Sequence, residues 1–306
     1  MRTFAADEAV PADARGAAVA LGNFDGVHRG HQAVVAAAAA HDRPLAAAVF
    51  EPHPRRFFKP EAPPFRLQSN GQRARALASL GVTALHTLRF DRAMADRSDE
   101  AFARDVLHTR IGAAHVAVGF DFRFGRNRVG DTQRLQDLGA QLGFSVDIVD
   151  AVDDARHAGK VSSSDIRTAV SDGDMARAAD LLGRPWAIEG VVIDGMKRAR
   201  GIGFPTANMA LADYVRPCFG VYASRTDVGD GVWRAGVSNA GVKPTVGGVA
   251  EPLLETHVFD FAGDLYGRTV ETQLITFLRP ERKFDSFEAL TAQIAADAAQ
   301  ARRLLA

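Results

Sequence analysis

The sequence predicts two domains of different class: a doubly wound α/β domain with a parallel sheet over residues 1–183, and a small antiparallel β-barrel with a C-terminal helix over residues 184–306. Three observations carry this. At 306 residues the chain is about twice the usual length of one domain. Up to about residue 150, short apolar runs alternate with helical stretches, the pattern of strands and crossovers in an α/β sheet. Beyond Trp186, strand-like stretches predominate, several of them alternating with period two.

In the first domain the apolar runs are A-A-V-A-L-G (17–22), L-A-A-A-V-F (45–50), T-A-L-H-T-L (83–88), H-V-A-V-G (115–119) and F-S-V-D-I-V (144–149). Runs of this kind fit strands buried on both faces of a parallel sheet. Between the first two lies Ala33 to Ala40, which reads as an alanine-rich helix. Residues 163–183 continue as one or two short helices before G-R-P-W.

In the second domain the strand-like stretches are W-A-I-E-G-V-V-I (186–193), G-V-Y-A-S-R-T (220–226), V-W-R-A-G-V (232–237), L-L-E-T-H-V-F-D-F (253–261) and T-V-E-T-Q-L-I-T-F-L (269–278). Asp230-Gly231 is a hairpin turn signal. From Asp285 to about Leu304 helical spacing puts Phe287, Leu290, Ile294 and Ala298 on one face, with Asp285 or Ser286 suited to the N-cap.

Composition narrows the function. Thirty-seven basic residues balance thirty-seven acidic ones, so no global positive field is available to hold a nucleic acid, and a polyphosphate must be gripped locally. The single cysteine, Cys218, excludes an internal disulfide, and there is no C-x-x-C pair. Eight of nine histidines precede residue 184, which excludes a multi-histidine metal site in the second half. The first ten residues carry acids where a signal peptide needs an apolar core, and no apolar run approaches a membrane span. A cytoplasmic protein with no membrane partner is the expectation.

The first candidate site follows the first strand. That strand runs into G-N-F-D-G-V-H-R-G-H, Gly22 to His31, and then into a helix. A Gly-rich turn, two histidines and a helix N-terminus thus meet at the carboxyl end of a parallel strand, where α/β sheets bind ligands and where a phosphate is favoured. His28 and His31, three apart, share a helix face. An isolated H-x-x-H is equally compatible with a capped helix, and Arg167 alone with a solvated helix arginine.

G-N-F-D-G-V-H-R-G-H resembles the H-x-G-H signature of nucleotidylyltransferases, in the form of the prokaryotic bifunctional riboflavin kinase/FMN adenylyltransferases. F-E-P-H-P (50–54), G-F-D-F-R-F-G (119–125) and V-S-S-S-D-I-R (161–167) follow in that family's order. The resemblance implies a Rossmann-like nucleotidylyltransferase domain. It implies that Gly22, Asn23, Asp25, His28, His31, Ser164 and Arg167 surround the ATP phosphates, with His28 and His31 in catalytic roles. It also implies that Asp121, Phe122 and Phe124 lie on the FMN side. The chemistry suits these types. The FMN phosphate is an anionic nucleophile at neutral pH, so aligned donors for the α-phosphate and pyrophosphate matter more than a strong base.

The second half has no Walker A loop. Gly159-Lys160 is followed by Val161 and lacks the preceding glycine. G-M-K-R-A-R-G-I-G-F-P-T-A-N, Gly195 to Asn208, ends in a segment that resembles the riboflavin kinase hallmark, and Glu255 occupies the place of that family's catalytic glutamate. Gly195 and Lys197 are candidate ATP-loop ligands. Met196, Ala199 and Gly201 depart from the usual family form. Thr206 and Asn208 share one side of an extended stretch and offer neutral oxygens to Mg²⁺. Read without the family, P-T-A-N is also a Pro-started turn, and Glu255 an exposed strand carboxylate. G-V-S-N-A (236–240) is a decoy for a serine-hydrolase elbow, since its context is antiparallel β.

The expected activity is phosphorylation of riboflavin to FMN and adenylylation of FMN to FAD, with ATP and Mg²⁺. A monofunctional kinase and a non-catalytic flavin carrier are the alternatives. The expected partners are ATP, riboflavin, FMN and FAD; a weak homo-oligomer is compatible with the sequence.

Overall fold

The strand Ala18–Leu21 (β2) buries all four of its side chains, as a run without a polar residue must at the centre of a covered sheet. The computed structural model that contains it describes residues 1–6, 8–154, 159–193, 205–244 and 250–306. The chain divides into two units, one made of Met1–Ala62 with Asn70–Ser162, the other of Pro63–Ser69 with Ser163–Ala306.

In the first unit β2 is joined by Arg2–Phe4 (β1), Leu45–Glu51 (β3), Ala84–Arg89 (β4), His115–Gly119 (β5) and Ser145–Val149 (β6). The strand order is β1-β4-β3-β2-β5-β6, and every pairing is parallel. The expected strands are all present. The short edge strand β1 adds to them, held in register with Ala84 to His86. The sheet alternates its buried side chains between two cores. Val19, Leu21, Ala46, Ala48 and Val116 pack on one face with Phe102, Val106 and Leu135. Ala18, Ala20, Ala47, Val49 and Ala117 pack on the other with Val34, Val35 and Leu77.

The connecting helices are Arg29–Ala39 (α1), Pro54–Phe58 (α2), Asn70–Ser79 (α3), Arg92–Ala95 (α4), Asp99–Ala101 (α5) and Thr132–Leu142 (α6). A π-helical segment, Phe102–Ile111, extends α5 and stops at Gly112, whose φ is +67°. Strand order reverses at β2, which has β3 on one side and β5 on the other. That is the switch point where crossovers leave on opposite faces and a crevice opens.

The second unit opens with Ser163–Asp172 (α7) and Met175–Leu182 (α8). Six strands follow: Ala187–Val191 (β7), Ala207–Ala210 (β8), Gly220–Asp227 (β9), Trp233–Pro244 (β10), Ala250–Val258 (β11) and Thr269–Pro280 (β12). They pair antiparallel in the order β7-β12-β9-β10-β11-β8. An isolated bridge between Ile193 and Asn208 joins the two end strands, so the sheet is a nearly closed barrel.

The barrel interior is partly polar. The Ser238 hydroxyl lies 2.7 Å from that of Ser224 and 2.8 Å from that of Thr256, and the Thr226 and Thr272 hydroxyls meet at 3.1 Å. All five residues are at most 1% exposed, so these contacts satisfy groups that water cannot reach. Ser238 of the hydrolase-like decoy is therefore a core hydroxyl.

The helix Phe287–Leu305 (α9) covers the outer face of β9 and β10 and is capped by Ser286, whose Oγ accepts from the Ala289 N–H at 3.1 Å. The four apolar residues that share a face are not equally buried. Of Phe287, Leu290, Ile294 and Ala298, only Ala298 is buried, and Phe287 is 57% exposed. The buried stripe is Ala298, Ala301 and Leu305 against Val221, Ala223, Val237 and Phe259. The helix is seated through its C-terminal half, where alanines allow close approach and the Asp297 carboxylate receives the Arg279 guanidinium at 2.7 Å.

Residues 63–69 are integral to the second unit. The Trp186 indole N–H donates to the Leu67 carbonyl at 2.8 Å, the Arg184 guanidinium donates to Gln68 Oε1 at 3.2 Å, and the Ser69 hydroxyl donates to Glu189 at 2.6 Å. Arg66 pairs with the backbone around Tyr214.

Candidate active sites

In the first unit the Gly22 N–H donates to the Ala48 carbonyl at 3.1 Å, continuing the β2–β3 ladder one residue past the strand. The chain then turns sharply. Gly26 has φ +92°, and the non-glycine residues Phe24 and Val27 have φ +52° and +43°. Left-handed backbone at bulky residues is costly, and here it is enforced by complete burial of both side chains. Asp25 inside the turn is 3% exposed.

His28 ends the turn as the N-cap of α1, and its Nδ1 accepts from the His31 N–H at 3.3 Å. In a neutral imidazole one nitrogen accepts and the other donates, so Nε2 of His28 carries the proton. The His28 and His31 rings stack, and Phe24 meets His31 edge-on with centroids 5.2 Å apart. Gly30 is a packing requirement of this pair: a Cβ there would stand 3.2 Å from His28 Cε1.

Asn23 Oδ1 is buried without a hydrogen-bond partner, an acceptor held in place with its capacity unused. The Asn23 carbonyl accepts from Arg73 Nη1 at 3.3 Å. Arg73, 3% exposed, also binds the Glu51 carboxylate at 3.0 Å and the Asn70 side chain at 3.1 Å, which ties the turn to the end of β3. Sequence reasoning missed Arg73, because nothing in Q-R-A-R separates it from a solvated helix arginine. His53 was also missed as an individual residue. It caps α2 with Nδ1 on the Arg55 N–H at 3.0 Å, which fixes the same tautomer as in His28.

The residues expected on the flavin side divide. The Asp121 carboxylate is exposed and accepts from Lys160 Nζ at 2.6 Å. Phe122 is half-buried and stacks on Phe124 with centroids 5.7 Å apart. Phe124, 6% exposed, belongs to the core beside Phe102. Ser164 and Arg167 lie on the first turns of α7 and group with the second unit. Ser164 is exposed, while Arg167 donates Nε to the Phe65 carbonyl at 2.7 Å with its guanidinium over the Phe65 ring.

In the second unit the β-ladder builds the other site. Glu255 pairs directly with Asn208 on one side and with Asn239 on the other. Directly paired residues of antiparallel strands share a face, so three strands present Asn239, Glu255 and Asn208 in one row. Asn208 is 5% exposed, and its Nδ2 donates to the Thr206 carbonyl at 3.4 Å. That leaves Oδ1 as the amide's acceptor; an amide oxygen and the hydroxyl of Thr206 are both hard, neutral donors. His257, two residues from Glu255, donates Nδ1–H to the Pro205 carbonyl at 2.8 Å and so fixes the start of P-T-A-N.

A cleft opens here. It is lined by Val192 and Pro205 to Asn208, and by Thr256, Val258, Phe261 and Gly263 to Tyr266. The cleft thus contains Thr206 and Asn208; Glu255 stands beside it in the Asn208 row. Gly195, Lys197 and the departures at Met196, Ala199 and Gly201 lie outside the described residues.

Two family models match the chain, FAD synthetase over residues 10–165 and riboflavin kinase over residues 182–305. The chain is 42% identical over 296 residues to a bifunctional riboflavin kinase/FMN adenylyltransferase of Pseudomonas fluorescens, covering 95% of this chain and 94% of that one. It is 40% identical over 292 residues to the protein so described in Escherichia coli (strain K12), covering 94% and 92%. A crystal structure described as a macrolide-efflux protein from Streptococcus pneumoniae is similar with a TM-score of 0.85 and 30% identity, covering 97% of each chain. Among the described residues no helix is long and apolar enough to cross a membrane.

Proposed function

Since the chain belongs to the bifunctional riboflavin kinase/FMN adenylyltransferase family, we propose that it makes FAD in two ATP-dependent steps: phosphorylation of riboflavin to FMN, then adenylylation of FMN with release of pyrophosphate. Residues 1–183 are assigned the adenylyl transfer and residues 184–306 the kinase. The observation that carries this reading is one family match in each half, each over a cluster of residues suited to its reaction.

For adenylyl transfer, the Nε2–H of His28, the imidazole of His31 and the N–H groups opening α1 supply donors for the charge that develops on the α-phosphate and on pyrophosphate. Gly22, Asn23 and Asp25 shape the turn that presents them. Arg73 holds that turn through the Asn23 carbonyl. Ser164 and Arg167 are assigned to the phosphates through their motif. On the flavin side Asp121 and Phe122 make the contacts, and Phe124 supports Phe122 from the core.

For the kinase, Glu255 accepts the proton of the riboflavin 5′-hydroxyl as it attacks the γ-phosphate. General-base assistance of this kind is commonly worth about 10²- to 10⁴-fold. Thr206 and Asn208 would hold Mg²⁺, which when bound neutralises charge on the ATP phosphates. Gly195 and Lys197 are assigned to the ATP loop by motif alone. We place both reactions in the cytoplasm.

The test is incubation of the purified chain with riboflavin and Mg-ATP, followed by separation of the flavins. FMN together with FAD supports the reading. FMN alone refutes the first half's assignment; unchanged riboflavin refutes the kinase assignment, and supplying FMN directly then tests the first half by itself.

A further inference from the structure

At the opposite end of α1 from His28, a second group of side chains converges. His41 follows the C-terminus of α1, His115 opens β5, and Asp147 lies in the middle of β6. Thirteen residues at about 1.5 Å each put this cluster roughly 15–20 Å from the nucleotide turn. It lies towards the amino-terminal end of the strands, away from the ends that carry the ligand crevice.

His41 Nε2 is 3.0 Å from Asp147 Oδ2, and His115 Nε2 is 3.4 Å from the same oxygen. One ligand atom from each residue lies within 4.8 Å of the other two. Around a tetrahedral ion with bonds of about 2.0–2.1 Å, neighbouring ligand atoms are separated by about 3.3 Å, near the two imidazole–carboxylate distances here.

The outer contacts point the same way. His115 Nδ1 is engaged by the Ser145 hydroxyl at 2.8 Å, and His115 is 1% exposed. Its Nε2 is buried and has no hydrogen-bond partner. Metal-ligating histidines are commonly fixed in this way, with one ring nitrogen tied to a neighbour and the other aimed at the ion. The His41–Asp147 hydrogen bond uses one imidazole nitrogen, and His115 Nε2 faces the same carboxylate oxygen at 3.4 Å. The two rings are stacked with centroids 3.5 Å apart, closer than two imidazoles on one tetrahedral ion, so ligation requires the partly exposed His41 ring to swing out of the stack.

We propose that His41, His115 and Asp147 bind one divalent transition-metal ion of the Zn²⁺ class, separate from either catalytic site. Two imidazoles and one carboxylate select a borderline ion over Mg²⁺. The side chains of His41 and Asp147 are 34% and 46% exposed, so the ion has an entry path and room for water as a fourth ligand. The ion would bind the folded form only and so stabilise it.

The full-length chain, treated with chelator and dialysed, is equilibrated with Zn²⁺ in excess Mg²⁺, and bound zinc is counted. His41→Gln and Asp147→Asn are compared with it, both partly exposed positions that do not open the core. Circular dichroism of each metal-free protein shows that it is folded. The expected result is one equivalent more of Zn²⁺ in the wild type than in either variant, with a rise in unfolding temperature on zinc addition in the wild type alone. Equal zinc uptake by the three proteins, or a rise of the same size in all of them, overturns the proposal.

Discussion

The imidazoles of His28 and His31 lie face to face, with centroids 3.7 Å apart and planes inclined by 19°. Gly30 between them keeps the stack possible. In Gly30→Ala the new Cβ would press on the His28 ring at 3.2–3.3 Å and tilt the Nε2–H away from its aim. Helix propensity moves the other way, with alanine favoured over glycine by up to about 1 kcal/mol. We expect kcat/KM for FAD formation from supplied FMN to fall about 10- to 100-fold. The urea midpoint should not drop. Normal adenylylation in a protein of normal stability would refute the role given to this pair.

The row Asn239, Glu255, Asn208 puts one carboxylate between two amides. Replacing it with another amide keeps shape and removes the proposed base. Glu255→Gln should lower kcat for FMN formation by about 10²- to 10⁴-fold while FAD formation from supplied FMN stays near normal. Separate assays of the two steps decide this, and parallel loss of both would sink the assignment of one site to each half.

His86, 1% exposed, is stacked on Phe4 and has Nε2 buried without a partner. Burial, helped by the charge of Arg110, holds its pKa down at about 4 against an ordinary 6.5. The folded chain therefore takes up this proton less readily than the unfolded chain. The stabilisation from keeping His86 neutral is fully present above pH 6.5 and is lost as the pH falls towards 4. At about 1.4 kcal/mol per pH unit it amounts to roughly 3 kcal/mol. His86→Gln should lose about that much less than the wild type between pH 7 and pH 4 in urea denaturation. Equal losses would exclude His86 as the source.

Thr226 and Thr272 are paired across β9 and β12, and each is fully buried. Changing either one alone to valine strands the other hydroxyl, at a cost of about 1–3 kcal/mol. Changing both removes donor and acceptor together, and the double variant should be close to wild-type stability. Chemical denaturation of the two single variants and the double variant measures the coupling. Additive losses would mean that the pair is not the unit that matters.

The two architectures were legible for different reasons. Strands β2 to β6 stand out because a sheet covered on both faces requires uninterrupted apolar runs such as L-A-A-A-V-F. The barrel was legible by alternation, although on strands such as β9 the inward position is held by Ser224 and Thr226. Hydrophobicity alone would have turned that strand inside out. The cap of α9 was legible as Asp285 or Ser286, but its buried stripe was not, because nothing in the helical spacing shows where the barrel surface ends. At the sites, the turn from Gly22 to His31 could be read from its residue types. Arg73 could not, since its partners Asn23 and Glu51 are fixed only when β2, β3 and α3 have assembled. The segment P-P-F-R-L-Q-S at 63–69 has no period at all, and only its contacts assign it to the second unit.

That segment also imposes an order on biosynthesis. The Leu67 carbonyl leaves the ribosome 119 residues ahead of the Trp186 indole that will bind it. The Gln68 side chain waits almost as long for Arg184, at a separation of 116 residues. The second unit is therefore completed by a strip of chain that was synthesised long before its first strand. A gene fragment beginning at residue 184 encodes every strand of the barrel and still omits the acceptor for its buried tryptophan.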